Sequence, residues 1–206
     1  MESLLFTLGK LITQVYIVGM GTVAIVSNSI ATSIVNMQNV PGIALSTAAT
    51  TVVGQAMGKG ESDKAKDSLF YMTKFAFFTL GILGALCFPV AHLIVGLYTK
   101  SPEIIDYSTK LIKLNSLTTS LWAFSFVLPA GLRGAGDGRY TMVTSILGMW
   151  IFRIGLGYVF GVILKMGVTG VWIGMYVDWI VRGSLYYLRL RGGNWKKHVV
   201  IRNVKV

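Results

Sequence analysis

LITQVYIVGMGTVAIVSNSIATSIVNMQNVPGIALSTAATTVVGQAMG, from Leu11 to Gly58, runs for 48 residues without a charged side chain. A helix needs only about 20 mostly apolar residues to cross a hydrocarbon core of ~30 Å. The stretch is therefore long enough for two crossings. Its polar residues Asn28, Asn36, Gln38, Asn39 and Gln55 need something other than lipid to face, because an unsatisfied polar group in hydrocarbon is costly. That combination points to a polytopic transporter or channel rather than to a membrane anchor.

Composition agrees. Of the 206 residues 53% are hydrophobic and 13% charged, against roughly 25% charged in ordinary globular domains. Glycine is abundant, 24 in all, as expected where helices pack closely through small residues. Cys87 is the single cysteine, which excludes a disulfide or Cys-based zinc framework. The net charge of +11 does not indicate nucleic acid, since the cations sit in connectors and near the end of the chain, with no basic patch interleaved with stacking aromatics. They read instead as topology information for a protein in contact with membrane lipid. There is no His/Glu metal motif, no paired aspartates and no Ser/His couple, so neither enzyme chemistry, a metal nor a cofactor is expected.

The expected fold class is all-α, a polytopic membrane protein with six transmembrane helices. The spans are expected at about 3–21, 23–58, 69–98, 103–132, 140–164 and 168–188, within a lobe of residues 1–191, followed by a basic tail over 192–206. The second span is interrupted at Pro41-Gly42, and Pro89 is expected to kink the third. Ser101-Pro102-Glu103 restarts a helix: Ser as N-cap, Pro at the first helical position, Glu in the first turn. Lys and Arg number eleven on the side that holds both termini and the connectors at 59–67 and 133–139. The opposite loops hold Lys100 and Lys165, and the positive-inside rule then places both termini in the cytoplasm of a cell that carries the chain in its plasma membrane. The first span begins at once, with no basic region ahead of it, and the chain is expected to continue a longer protein.

Three segments carry a family resemblance. Glu2-Ser3-Leu4-Leu5-Phe6-Thr7-Leu8-Gly9-Lys10 is similar to the start of the seventh helix in the multidrug and toxic compound extrusion (MATE) family, in its DinF-like and clostridial branches. Pro41-Gly42 with Thr50-Thr51-Val52-Val53-Gly54-Gln55-Ala56-Met57-Gly58 resembles the end of the eighth helix, and Leu132-Arg133-Gly134-Ala135-Gly136-Asp137 resembles the connector after the tenth. Gly170-Val171-Trp172 and Trp195 fit as well. Family members have twelve helices in two six-helix lobes, and the resemblance makes this chain the second lobe, with an N-terminal six-helix lobe, in the same protein or a separate chain, as its partner. It implies cation-coupled efflux of small amphipathic, often cationic, drug-like substrates, coupled to Na+ or H+. A lipid-linked saccharide flippase of the same superfamily and an inactive truncated remnant are the alternatives.

Candidate residues follow from depth and spacing. Intramembrane polar and ionisable groups mark transport paths, which selects Glu2, Lys10, Gln14, Gln38, Asn39 and Asn115 for a substrate or cation path. Lys10 and Gln14 share a helix face; Lys10 either lines the lobe interface or snorkels to the surface. Asp178 with Arg182 at i,i+4, or with Arg153, reads as an ion pair within the bundle, and Arg133 with Asp137 as a cytoplasmic latch. Pro41, Gly54, Gln55 and Gly58 read as a hinge. The NorM-type branch binds its cation partly through carboxylates on the seventh and tenth helices. Residues 114–132 contain no acid, and alignment on Gly21-Thr22 puts the seventh-helix position nearer Phe6 than Glu2. Resemblance to the DinF-like branch puts the coupling carboxylate in the other lobe.

Overall fold

A computed structural model describes residues 2–197, all helix and connector. The helices are α1 (Glu2–Val18), α2 (Thr22–Gln38), α3 (Val40–Gly58), α4 (Ser62–Gly96), α5 (Pro102–Thr118), α6 (Trp122–Gly134), α7 (Gly138–Leu147) and α8 (Gly167–Arg191). The chain beyond α7 stays helical but widens to π geometry over Gly148–Leu156 and Val159–Ile163. A 3₁₀ turn over Thr119–Leu121 joins α5 to α6, and another over Asn194–Lys197 follows α8. Among the described residues three rods are long and apolar enough to cross a membrane: Ser62–Gly96, Pro102–Gly134 and Gly138–Ile163.

The sorting of α4 shows how such a helix sits in lipid. Leu69, Thr73, Ala76, Leu80, Gly84, Ala91 and Val95 recur at helical spacing and are buried, while Phe75, Phe78, Ile82, Leu86 and Leu93 face outward. An apolar face that large on a water-exposed surface would aggregate; against acyl chains it is at home. α4 runs through Pro89 without a break.

Because lipid is as apolar as leucine, the inward faces are held by close packing rather than by water exclusion. α8 lies on the π segment through two glycine pairs. A Cβ on Gly174 would sit 2.7 Å from the Gly157 nitrogen, and one on Gly170 would sit 2.7 Å from the Gly161 nitrogen. α3 crosses α6 in the same manner: the Thr50 hydroxyl donates to the Ala130 carbonyl at 3.0 Å, and a Cβ on Gly54 would lie 3.3 Å from the Gly134 carbonyl oxygen.

Two helix breaks share one level of the bundle. The α2–α3 break falls at Asn39, two residues ahead of Pro41. Proline lacks the N–H that would bond to the carbonyl four residues back, and its ring clashes there, so the helix must be interrupted before Pro41. The Asn39 backbone N–H closes α2 on the Val35 carbonyl at 3.0 Å, and Ile43 N–H opens α3 on the Asn39 carbonyl at 3.0 Å. The α5–α6 break has no such covalent cause. There the Thr118 hydroxyl bonds back to the Leu114 and Asn115 carbonyls at 3.0 and 3.2 Å, a side-chain competition that bends helices.

Candidate functional site: a cavity at the broken helices

The two breaks meet. The Thr119 hydroxyl donates to the Asn39 side-chain oxygen at 3.3 Å, and Asn115 Nδ2 donates to Gln38 Oε1 at 3.1 Å. Tyr176 on α8 completes the group, its hydroxyl 3.4 Å from Asn115 Oδ1. All five side chains are buried. Gln38 Nε2 is buried without an acceptor among the described residues.

Beside this network lies a cavity of about 520 Å³. Its walls come from α1 (Lys10, Thr13, Gln14), α2 (Asn28, Asn36), the break at Asn39, α6 (Trp122, Phe126), the π segment (Arg153) and α8 (Trp172, Trp179). Trp122 stacks on Phe126 with centroids 4.3 Å apart and rings 12° from parallel. Gly42 makes room for that indole, since a Cβ there would come 2.6 Å from Trp122 Cζ3. Trp172 Nε1 donates to Asn28 Oδ1 at 2.9 Å. Lys10, Gln14 and Asn36 are exposed along the cavity rim.

A charged pair lies behind the cavity wall, the Arg182 guanidinium 5.5 Å from the centre of the Phe126 ring. Arg182 grips Asp178 with Nε and Nη2, each 2.7 Å from a carboxylate oxygen, and both side chains are nearly fully buried. Gly148 lets the π segment lie against them, where a Cβ would collide with both. Arg153, half-buried, directs Nη2 to the Met175 sulfur at 2.9 Å. Among the described residues no lining residue of the cavity carries a carboxylate.

The MatE family profile matches residues 1–159. The chain belongs to the MatE family. It is 29% identical over 94% of its length to the "Uncharacterized transporter YisQ" of Bacillus subtilis, of which it spans 43%. It is 24% identical over its full length to the "Probable multidrug resistance protein NorM" of Thermotoga maritima, of which it spans 44%. The MATE transporter ClbM, solved in complex with Rb+, superposes with a TM-score of 0.87 at 22% identity, over 97% of this chain and 47% of ClbM. An outward-facing MATE multidrug resistance transporter superposes at 0.84 with 24% identity, over 95% of this chain and 45% of that one. The chain thus spans less than half the length of the relatives it matches. Its fold is that of one lobe of a MATE transporter: an all-α, multi-pass membrane protein.

Within this MatE lobe the residues singled out from sequence fall into three places. Lys10, Gln14, Asn39 and Arg153 line the cavity. Gln38 and Asn115 sit in the buried network behind it, and Asp178 with Arg182 forms the ion pair beneath. The α1 residue Glu2 has its side chain outside the described residues, as does the chain from 198 onward.

The remaining candidates lie at the end of the bundle that carries the connectors. Asp137, buried, is held by Arg189 of the same lobe, with Nε–Oδ2 2.7 Å and Nη2–Oδ1 3.3 Å; Arg133 is exposed. Gly54 is a crossing point of α3 with α6, and Gly58 closes α3. Gln55 is exposed. The left-handed residue that turns the chain is Gly60, at φ +76°.

Sequence reasoning missed Arg189, Tyr176, Thr119 and Trp179. A hydroxyl and two ring systems at helical spacing carry no signal beyond ordinary packing. Arg189 blended into the cations counted for topology.

Proposed function

We propose that this chain forms one lobe of a two-lobe secondary transporter that exports small amphipathic compounds in exchange for Na+ or H+ by alternating access. The observation that carries the reading is the cavity beside the Asn39 and Thr119 breaks. Discontinuous helices let polar groups face a water-filled path at membrane depth, and here polar rim residues are combined with aromatic walls. Relatives of about twice the length supply the expectation of a second six-helix lobe that closes the open rim.

Lys10, Gln14, Asn39 and Asn115 are assigned to the path, directly or through the network. Among the described residues the lining has no carboxylate, and the coupling carboxylate is assigned to the other lobe, as in the DinF-like branch. The connector end carries Arg189–Asp137 and Lys196–Asp63 together with most connector cations, and we assign it to the cytoplasm of a plasma-membrane protein.

The test is efflux by the native two-lobe assembly reconstituted in liposomes. Lys10→Ala and Asn115→Ala should lower efflux without lowering the amount inserted. Wild-type transport by both would remove these residues from the path.

A further inference from the structure

We infer that the cavity of this lobe selects amphipathic molecules bearing an anionic group, a carboxylate, sulfonate or phosphate, with Arg153 as the group that receives it. The inference rests on the transporter reading and departs from its cationic-substrate expectation on one point, the sign of the charge in the wall.

Among the described residues the lining includes two cations, Lys10 and Arg153, and no acid. The Asp178 carboxylate, which does not line the cavity, is fully buried and gripped by Arg182 through two 2.7 Å contacts. Among the described residues Arg153 and Arg182 set against Asp178 leave one positive charge in excess. A guanidinium offers five N–H donors in a planar fork suited to oxyanions. Among the described residues the hydrogen-bond acceptor given to Arg153 is the Met175 thioether, a weak one. A cation in excess at membrane depth needs water or an anion to be tolerated.

The surrounding walls explain the amphipathic body. Trp122, Phe126, Trp172 and Trp179 flank the site and offer broad faces to a ring system. The charge source is either a soluble aromatic anion or a lipid phosphate headgroup, and both present the same oxyanion to Arg153.

The experiment uses the native two-lobe assembly in nanodiscs of zwitterionic phosphatidylcholine and reads fluorescence anisotropy of two xanthene dyes, anionic fluorescein and cationic rhodamine 6G. Wild type should bind fluorescein more tightly. Arg153→Gln should weaken fluorescein by about tenfold, the scale of one charge-assisted contact. Arg153→Lys should restore most of it, and Lys113→Gln, which changes net charge equally on a residue packed over Phe88 outside the cavity, should leave it unchanged.

Displacement by a polyprenyl pyrophosphate assigns the anion to a lipid headgroup, and displacement by 1-naphthoate alone assigns it to a free solute. Displacement by neither, tighter binding of rhodamine 6G, absence of fluorescein binding, or an Arg153→Gln affinity equal to wild type would overturn the inference. Should Arg153→Gln fail to fold, the dye preference of the wild type and of Arg153→Lys decides. The readout needs no transport, so a loss of efflux with the anion preference intact tells against the transporter reading alone, whereas efflux of cationic dye without anion binding tells against this inference alone.

Discussion

The Thr119 hydroxyl reaches the Asn39 side-chain oxygen at 3.3 Å, joining two interrupted helices at their interruptions across 80 residues of sequence. One removes its own backbone bonding through a proline, the other through a threonine back-bond, and each leaves polar groups that the other helps to satisfy. That exchange holds a polar floor at membrane depth without exposing it to lipid.

Breaking the network should cost stability in proportion to the bonds removed. Thr119→Val removes one interhelical bond, worth about 0.6 kcal/mol on average in membranes. Asn115→Leu removes two and strands Gln38, and should cost about 1–2 kcal/mol. Unfolding of the purified chain by graded addition of SDS checks the order; equal effects would mean that Asn115 is not the hub.

The two glycine pairs between α8 and the π segment should tolerate no side chain. Gly174→Ala drives a Cβ into the Gly157 backbone and should destabilise by about 1–3 kcal/mol, the range for overpacking. Gly96→Ala, with open space around it, should be neutral or slightly stabilising given the better helix propensity of alanine. Thermal unfolding in detergent separates them.

Asp178→Asn should be among the most damaging single changes, at about 3 kcal/mol or more, because it leaves Arg182 charged and buried without its partner. Replacing both with apolar residues of similar volume should recover much of the loss. A double-mutant cycle on thermal stability tests this; additive losses would contradict the pairing.

The ion pairs at the connector end should differ from one another. Arg189–Asp137 is two-pronged and partly buried, so Arg189→Gln should lower stability measurably. Lys196–Asp63 is exposed on the carboxylate side, and Lys196→Gln should change little at physiological salt. The hydrogen bond from Lys196 holds the Asp63 carboxyl below its ordinary range, and that from Lys64 does the same for Glu61. A depressed carboxyl keeps its pair above the ordinary range and loses it as pH falls through the lowered value. Both pairs should therefore survive from pH 8 to about pH 4, followed by chemical-shift titration of the two carboxyls.

The long uncharged runs made the all-α membrane class legible, because charge in lipid is expensive whatever the fold. Asp178–Arg182 was legible too, since i,i+4 spacing places both on one face before any tertiary contact exists. Asp137–Arg189 and Asn28–Trp172 were not, because their partners lie 52 and 144 residues apart and only packing selects them. The Thr119–Leu121 turn lacks any proline or glycine to announce it. The break assigned to Pro41-Gly42 falls at Asn39 because a proline's missing bond is felt upstream of itself. The cavity belongs to five separate segments, and no local pattern describes it.

In the proposed function this cavity faces an aqueous transport path. That is tested most directly by placing a single cysteine at Gln14 in a Cys87→Ser background of the native assembly. A membrane-impermeant maleimide is then applied to intact cells and to inside-out vesicles. Labelling is expected from both sides, with the balance shifted by an imposed ion gradient, while a lipid-facing control, Leu86→Cys, stays unreactive. A Gln14→Cys that is silent from both sides, like the control, would contradict it.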